Sequence, residues 1–215
     1  MQRLGRLRNT LAALLLTAGS SACVTTGGEA PARSPSTTGD VATQWRMRQA
    51  QLREIDAFLM SGRVTSAELG LRADLRWRES NDGQYELRLS GPFGAGAVEL
   101  RGNAAGVEVR NSDGSQYTSD PEGWIRARYG WTLPITGLRH WALGLPIPDV
   151  AADSVLDDRG RLATLTQSGW QLHYTEYQQQ NGYDLPRRFE ADNGRVKLKL
   201  LIDQWDELPP TPAIR

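Results

Sequence analysis

The sequence predicts a mainly β fold: a single, strongly curved antiparallel sheet, open or closed as a barrel, with a helix before it and two short helices inserted midway. Three observations carry this. Beyond residue 62, short stretches alternate apolar and polar residues with the period of two that marks a strand with one buried face. Turn signals such as Asn81-Asp82-Gly83, Ser112-Asp113-Gly114, Ser168-Gly169, Asn181-Gly182 and Asn193-Gly194 separate them at short intervals, as antiparallel neighbours require. The middle of the chain drops this pattern for two helical segments bounded by prolines.

The first twenty-two residues read as a secretory signal: Arg3, Arg6 and Arg8, then the apolar run 11–18, then Gly19, Ser20, Ser21 and Ala22. Cys23 follows directly and is the chain's one cysteine, so no internal disulfide can form. Residues 23–43 are rich in Thr, Gly, Ala, Ser and Pro without a hydrophobic period, the composition of a tether. A flexible coil of about 20 residues spans roughly 25 Å root-mean-square. The domain is expected over 44–208, with a Pro-rich tail at 209–215. No stretch after the signal approaches the roughly 18 apolar residues of a membrane span.

A helix opens the domain, with Thr43 as N-cap, Trp45, Leu52, Ile55 and Leu59 on one stripe, and Gly62 as its stop. Strands are expected at 63–68, 71–79, 84–90, 97–103, 106–111, 116–118, 161–167, 170–178, 185–191 and 195–205. Between the third and fourth lies the segment Gly91-Pro92-Phe93-Gly94-Ala95-Gly96-Ala97, which carries no polar side chain. Phe93 is its one bulky group, and it either folds over to cap the core or stands exposed as a point of adhesion. Ser119-Asp120-Pro121-Glu122 has the spacing of a capping box and starts a helix over 121–126. A second helix is expected over 136–143, with Leu138, Trp141 and Leu145 on one face. Helices inserted between two halves of a sheet lie across its concave side, as a plug that completes a core or a lid over a cavity.

Composition excludes several functions. The chain holds 25 basic and 25 acidic residues; residues 1–22 contain three arginines and no acid, so the remainder has 22 against 25. No basic field suits nucleic acid. His140 and His173 are the only histidines and have no cysteine or paired carboxylates nearby, so no metal site is expected. There is no Gly-x-Ser-x-Gly and no phosphate loop, and Asp157-Asp158 is explained by its Gly turn, so no enzyme is expected. What the chain does have is seven tryptophans, six of them after the first helix. Trp77, Trp170 and Trp205 fall in expected strands and Trp124 and Trp141 in the inserted helices, surfaces that suit a packed core or an apolar ligand cavity.

Taken in order, Cys23, Trp45, Gly62-Arg63, Trp77, Gly91-Pro92-Phe93-Gly94, Leu133-Pro134 and Leu138-x-x-Trp141-x-x-Gly144-Leu145-Pro146 resemble the LolB family of outer-membrane lipoprotein receptors of Gram-negative bacteria. The likeness continues through Gly160-Arg161, Gln167-x-Gly169-Trp170, Tyr174, Tyr177, Leu185-Pro186 and Ile202-x-x-Trp205. Ser20 stands where the family's lipobox has an aliphatic residue, and Phe93 where Leu is common. The resemblance implies an open half-barrel of ten or eleven strands with the helices as a lid, and a monomer without metal or soluble cofactor. It implies an N-acyl diacylglycerol on Cys23, with Val24 directing the protein to the outer membrane. Lipoproteins would be accepted from a LolA-like periplasmic carrier, without ATP, their acyl chains held in an apolar cavity. Trp77, Leu138, Trp141, Leu145, Trp170 and Trp205 are the candidates for that cavity or its lid. Pro92, Phe93 and Gly94 would form a loop that contacts outer-membrane lipid at delivery. The alternatives are a structural outer-membrane lipoprotein with a solid core, or an envelope sensor that binds lipid or lipoprotein.

Overall fold

In the computed structural model, which describes residues 38–92, 96–130 and 134–210, eleven strands form one open antiparallel sheet. The first six, β1 (Phe58–Ser66), β2 (Leu71–Glu79), β3 (Tyr85–Ser90), β4 (Val98–Asn103), β5 (Gly106–Asn111) and β6 (Gly114–Thr118), run as one meander. The last five, β7 (Ala152–Leu156), β8 (Leu162–Gln167), β9 (Trp170–Gln180), β10 (Tyr183–Asp192) and β11 (Lys197–Asp206), run as another. Pairing of β1 with β11 joins them, so β6 and β7 are the two free edges.

That order has a consequence for the segment between the meanders. It leaves the sheet at β6 on one edge and returns at β7 on the other, so it must traverse the whole width. It contains helix α2 (Pro121–Tyr129), a single 3-10 turn (Ile135–Gly137) and helix α3 (Leu138–Ala142). Apolar residues from α2 and α3 meet the sheet's inner face, which explains why the chain spends apolar side chains there. Asp120 caps α2 by accepting the Gly123 N–H at 2.8 Å, with proline at the first helical position, as helix starts favour. The cap is thus Asp120 rather than Ser119.

The alternation expected for the strands is plain in β2, where Ala73, Leu75, Trp77 and Glu79 point inward and Arg72, Asp74, Arg76 and Arg78 outward. Two-residue turns at Ser168-Gly169 and Asn181-Gly182 place both residues at positive φ, the type I′ geometry that suits a twisted hairpin. The opening helix differs from its expected bounds. Helix α1 is Thr38–Arg53, so Thr43 lies inside it and the helix takes over residues 38–43 of the expected tether. Leu59 and Gly62 belong to β1 instead. The run Phe58-Leu59-Met60 is buried on both faces, as suits a central strand between β2 and β11, and the spacing of Ile55 and Leu59 only imitates a helical step. Gly62 is no helix stop. A β-carbon there would collide with the Leu201 carbonyl oxygen where the β1–β11 register shifts. Strand β7 has no counterpart in the expectations, because its pattern is exposed at four of five positions.

Helix α1 docks on the second meander. Gly160, at φ +65°, lets the β7–β8 turn approach the backbone of α1 at Val41 and Trp45. Arg48 donates to the Asp184 carbonyl and lies over the Tyr177 ring, 5.1 Å from its centre. Among the described residues, no helix is long and apolar enough to cross a membrane.

Candidate functional site

The two halves of the inner face are filled differently. Over β8, β9 and β10, Leu162, Leu165, Trp170, Leu172, Tyr183 and Leu185 are almost fully buried, packed in one core with Leu143 and Leu145. Over β3 and β4, the inward Leu89, Val98 and Leu100 are only half-buried, although the same alternation places them on the same face. Between that second half and the inserted helices lies a cavity of about 650 Å³. This is within the range of ~300–1,000 Å³ that small-molecule sites occupy.

Strands β2–β5 give most of its floor, through Leu75, Trp77, Leu87, Leu100, Val107 and Val109, and Val64, Leu200 and Phe189 continue it across β1, β11 and β10. Trp124 and Ile125 of α2 and Leu138, Trp141 and Ala142 of α3 give its roof. Among the described residues of the wall, only Glu68 and Asn111 are polar. Both lie at one end. Strands β1, β3 and β5 run in the same direction, so the β1–β2 turn with Glu68, the segment after Ser90, and Asn111 emerge together. Ser66 Oγ and the Lys197 N–H donate to the Glu68 carboxylate. Backbone and hydroxyl donors hold that group below the usual carboxylate range, so it is ionised at the rim.

Besides the Tyr174 hydroxyl, which donates to the Trp141 carbonyl at 2.9 Å, two polar contacts hold the roof. Gln167, 2% exposed on the inner face of β8, uses all its hydrogen-bonding groups. Its Oε1 accepts from Trp141 Nε1 at 3.1 Å and the Ile147 N–H at 2.9 Å, and its Nε2 donates to the Ile147 and Val150 carbonyls at 3.0 Å each. At the other end of α3, Arg139 pairs with Glu79 at 3.4 Å and donates to the Ile55 carbonyl at 2.8 Å. Burial pushes the Glu79 carboxyl up, against the pull of Arg139 and of the Trp77 Nε1–H bond at 3.1 Å. Neither contact was legible as such. An inward-facing Gln on β8 and an inward-facing Glu on β2 were the available signals.

Of the tryptophans and leucines expected at the site, Trp77, Leu138 and Trp141 line the cavity. Leu145, Trp170 and Trp205 are buried but off its wall. Trp170 lies at the start of β9 against Trp141, with ring centres 6.3 Å apart, and Leu145 joins the same packed core. Trp205 meets Phe58 edge-on at 5.2 Å near the far end of β11. All three face inward, but onto ground already occupied. Pro92 is exposed at the root of its segment. Phe93, Gly94 and Cys23 lie outside the described residues. His173 is exposed on β9. His140 is half-buried on α3, where burial first, then Arg139 and Arg53, hold its imidazole down to about 4. Among the described residues, no group of three His, Cys, Asp or Glu gathers as a metal site.

Residues 56–205 match the family model described as outer membrane lipoprotein LolB. The outer-membrane lipoprotein LolB of Pseudomonas paraeruginosa is 38% identical over 175 residues, covering 78% of this chain and 82% of that protein. That of Nitrosococcus oceani is 35% identical over 204 residues, covering 93% and 96%. Among solved structures, a LolA superfamily protein from Nitrosomonas europaea aligns with a TM-score of 0.48 and 9% identity, covering 80% of this chain and 94% of that one.

Proposed function

The chain belongs to the LolB family of outer-membrane lipoproteins, and we propose on that premise that it receives lipoproteins from a LolA-like periplasmic carrier and passes them to the outer membrane. The cargo's acyl chains rest, in this reading, in the cavity between the sheet and the inserted helices. The observation that supports this is the apolar wall left half-covered over β3 and β4 of a sheet that is packed solid over β8 and β9. A structural lipoprotein has no use for such a gap, since uncovered apolar wall forgoes roughly 25 cal/mol per Å². An anchor on Cys23 keeps the receptor at the membrane, as two or more acyl chains suffice to do.

No energy source is needed for such a hand-off. Each methylene taken from water is stabilised by roughly 0.8 kcal/mol, so an acyl chain moves wherever it is covered more completely, provided it is never exposed between holders. Leu100→Glu tests the reading, because it sets a carboxylate on the floor at a residue that is only half-buried. The folded variant is expected to lose lipoprotein acceptance from a loaded carrier and the accompanying shift in tryptophan emission. Acceptance at the unaltered rate in a folded Leu100→Glu chain would place the acyl chains elsewhere.

A further inference from the structure

Every lysine and arginine within a strand has a carboxylate oxygen between 2.6 and 3.3 Å away, with three exceptions among the described residues. Arg72, Arg76 and Arg88 have none; all three stand on the outer face of β2 and β3, with Arg72 four residues along β2 from Arg76. Arg76 and Arg88 stand directly opposite one another in register, an arrangement that costs stability between like charges. The carboxylate that could relieve it is turned away. Glu99, the register partner of Arg88 on β4, pairs with Arg101 at 2.6 Å. Asp74, between Arg72 and Arg76 along β2, lies across from Arg63, so the cluster keeps a net charge of about +2 even if Asp74 is assigned wholly to it. Exposed arginines are ordinarily just solvated. Here the other strand cations have carboxylate partners, and the three without one share the outer face of β2 and β3.

We propose that this outer face of β2 and β3 binds anionic phospholipid headgroups and orients the domain on the membrane, an inference that rests on the receptor reading above. The chemistry suits phosphate: three planar guanidinium forks on a rigid sheet can each clasp phosphate oxygens in pairs, as lysines cannot. The position suits a membrane. A groove of about 550 Å³ begins at Arg72 and runs past Arg63 and Lys199 to Arg188, four cations against the two acids Asp74 and Glu190, with Pro92 on its rim. Pro92 follows Ser90 at the end of the sheet where Glu68 and Asn111 mark the polar end of the cavity. Headgroups held along this face would bring that end of the cavity toward the bilayer.

The test uses the natural acylated chain in vesicles of phosphatidylcholine, with or without a third of phosphatidylglycerol. A guanidinium-modifying reagent, read by mass spectrometry, should label Arg72, Arg76 and Arg88 several-fold less in the anionic vesicles, with Arg110 unchanged. Lipoprotein delivery should be roughly tenfold faster into the anionic vesicles at low salt and lose that advantage as salt rises. Arg72→Gln/Arg76→Gln/Arg88→Gln should melt as the parent does, accept lipoprotein normally and deliver equally to both vesicles. Equal labelling in both vesicles, or a lipid preference that survives the triple change, overturns the proposal. So does a folded triple variant that no longer accepts from the carrier, which would assign the patch to the carrier. Failure of the receptor reading looks different: the parent chain itself would take nothing from the carrier, whatever the vesicle.

Discussion

Gln167→Leu is the substitution whose consequence can be worked most directly from the structure. It keeps the shape of the buried side chain roughly and removes every polar atom that ties α3 and the following segment to β8. Four partners lose their bond, but not equally. The Ile147 and Val150 carbonyls lie in a segment where Ile147 is half-buried and Val150 is 42% exposed, so water can replace the lost donor. Trp141 is 1% exposed, and its Nε1–H is left without an acceptor; the Ile147 N–H, which shared Oε1, is partly shielded. An orphaned buried donor costs about 1–3 kcal/mol, so the two together set a loss of about 2–6 kcal/mol. At about 2–4 °C per kcal/mol for a chain of this size, the melting temperature should fall by roughly 4–24 °C. Urea titration followed by circular dichroism gives the free energy, and Trp141→Phe completes a cycle. In the Gln167→Leu background that second change should cost clearly less than it does alone, because the orphaned donor goes with it. A loss below about 1 kcal/mol, or strict additivity in the cycle, would refute the assignment of Gln167 as the tie that seats the roof.

Three further outcomes are expected. The imidazole of His140 is held near 4 in the folded chain against an ordinary 6.5, so the unfolded state takes up its proton first and stability is lost as pH falls from 6.5 toward 4. His140→Asn should therefore shrink the gap between urea midpoints at neutral pH and about pH 5; Glu79, whose raised carboxyl has the opposite sign, is removed from the comparison by Glu79→Gln. Phe93→Glu should leave acceptance from the carrier intact and stop delivery into membranes, because a charge opposes entry into lipid, and normal delivery would discard the role given to the 91–97 segment. Mass spectrometry of the mature protein should find its N-terminus at Cys23 carrying acyl chains; an unmodified chain starting elsewhere would remove the anchor.

Much of the sheet was legible because alternation and Gly turns are local properties. Strands β2–β5 and β8–β11 lie within a few residues of their expected bounds, and the type I′ turns fall at Ser168-Gly169 and Asn181-Gly182. What escaped was whatever depends on the other side of the sheet. Phe58-Leu59-Met60 looks like a helix end until β2 and β11 are known to flank it. Strand β7 is an exposed edge with no buried face to give it a period. The wall of the cavity escaped for the same reason. Leu100 and Leu172 sit in equally good alternation, yet one is half-covered and the other fully buried, because the core packed over β8–β10 leaves β3 and β4 less fully covered. Tryptophans drew attention by their size, and half of the expected site residues proved to stand on the filled side.

The unequal halves also supply a direction for the proposed hand-off. The filled half, with α1 clamped on β8–β10 and Gln167 seating α3, gives the domain a core that does not depend on cargo. The hollow half is kept from collapsing, since its floor is held by the ladder from β1 to β5 and its roof by polar ties at both ends of α3. A cavity that cannot close keeps part of its apolar wall unsatisfied, and an acyl chain entering it gains contact on both sides at once. The same rigidity limits the gain. At about 650 Å³ the space covers a bounded length of chain, whereas a bilayer covers all of it. In the proposed hand-off, the acyl surface that the wall leaves uncovered would set the free-energy difference that draws cargo onward, and that difference would grow with each methylene that the cavity cannot enclose.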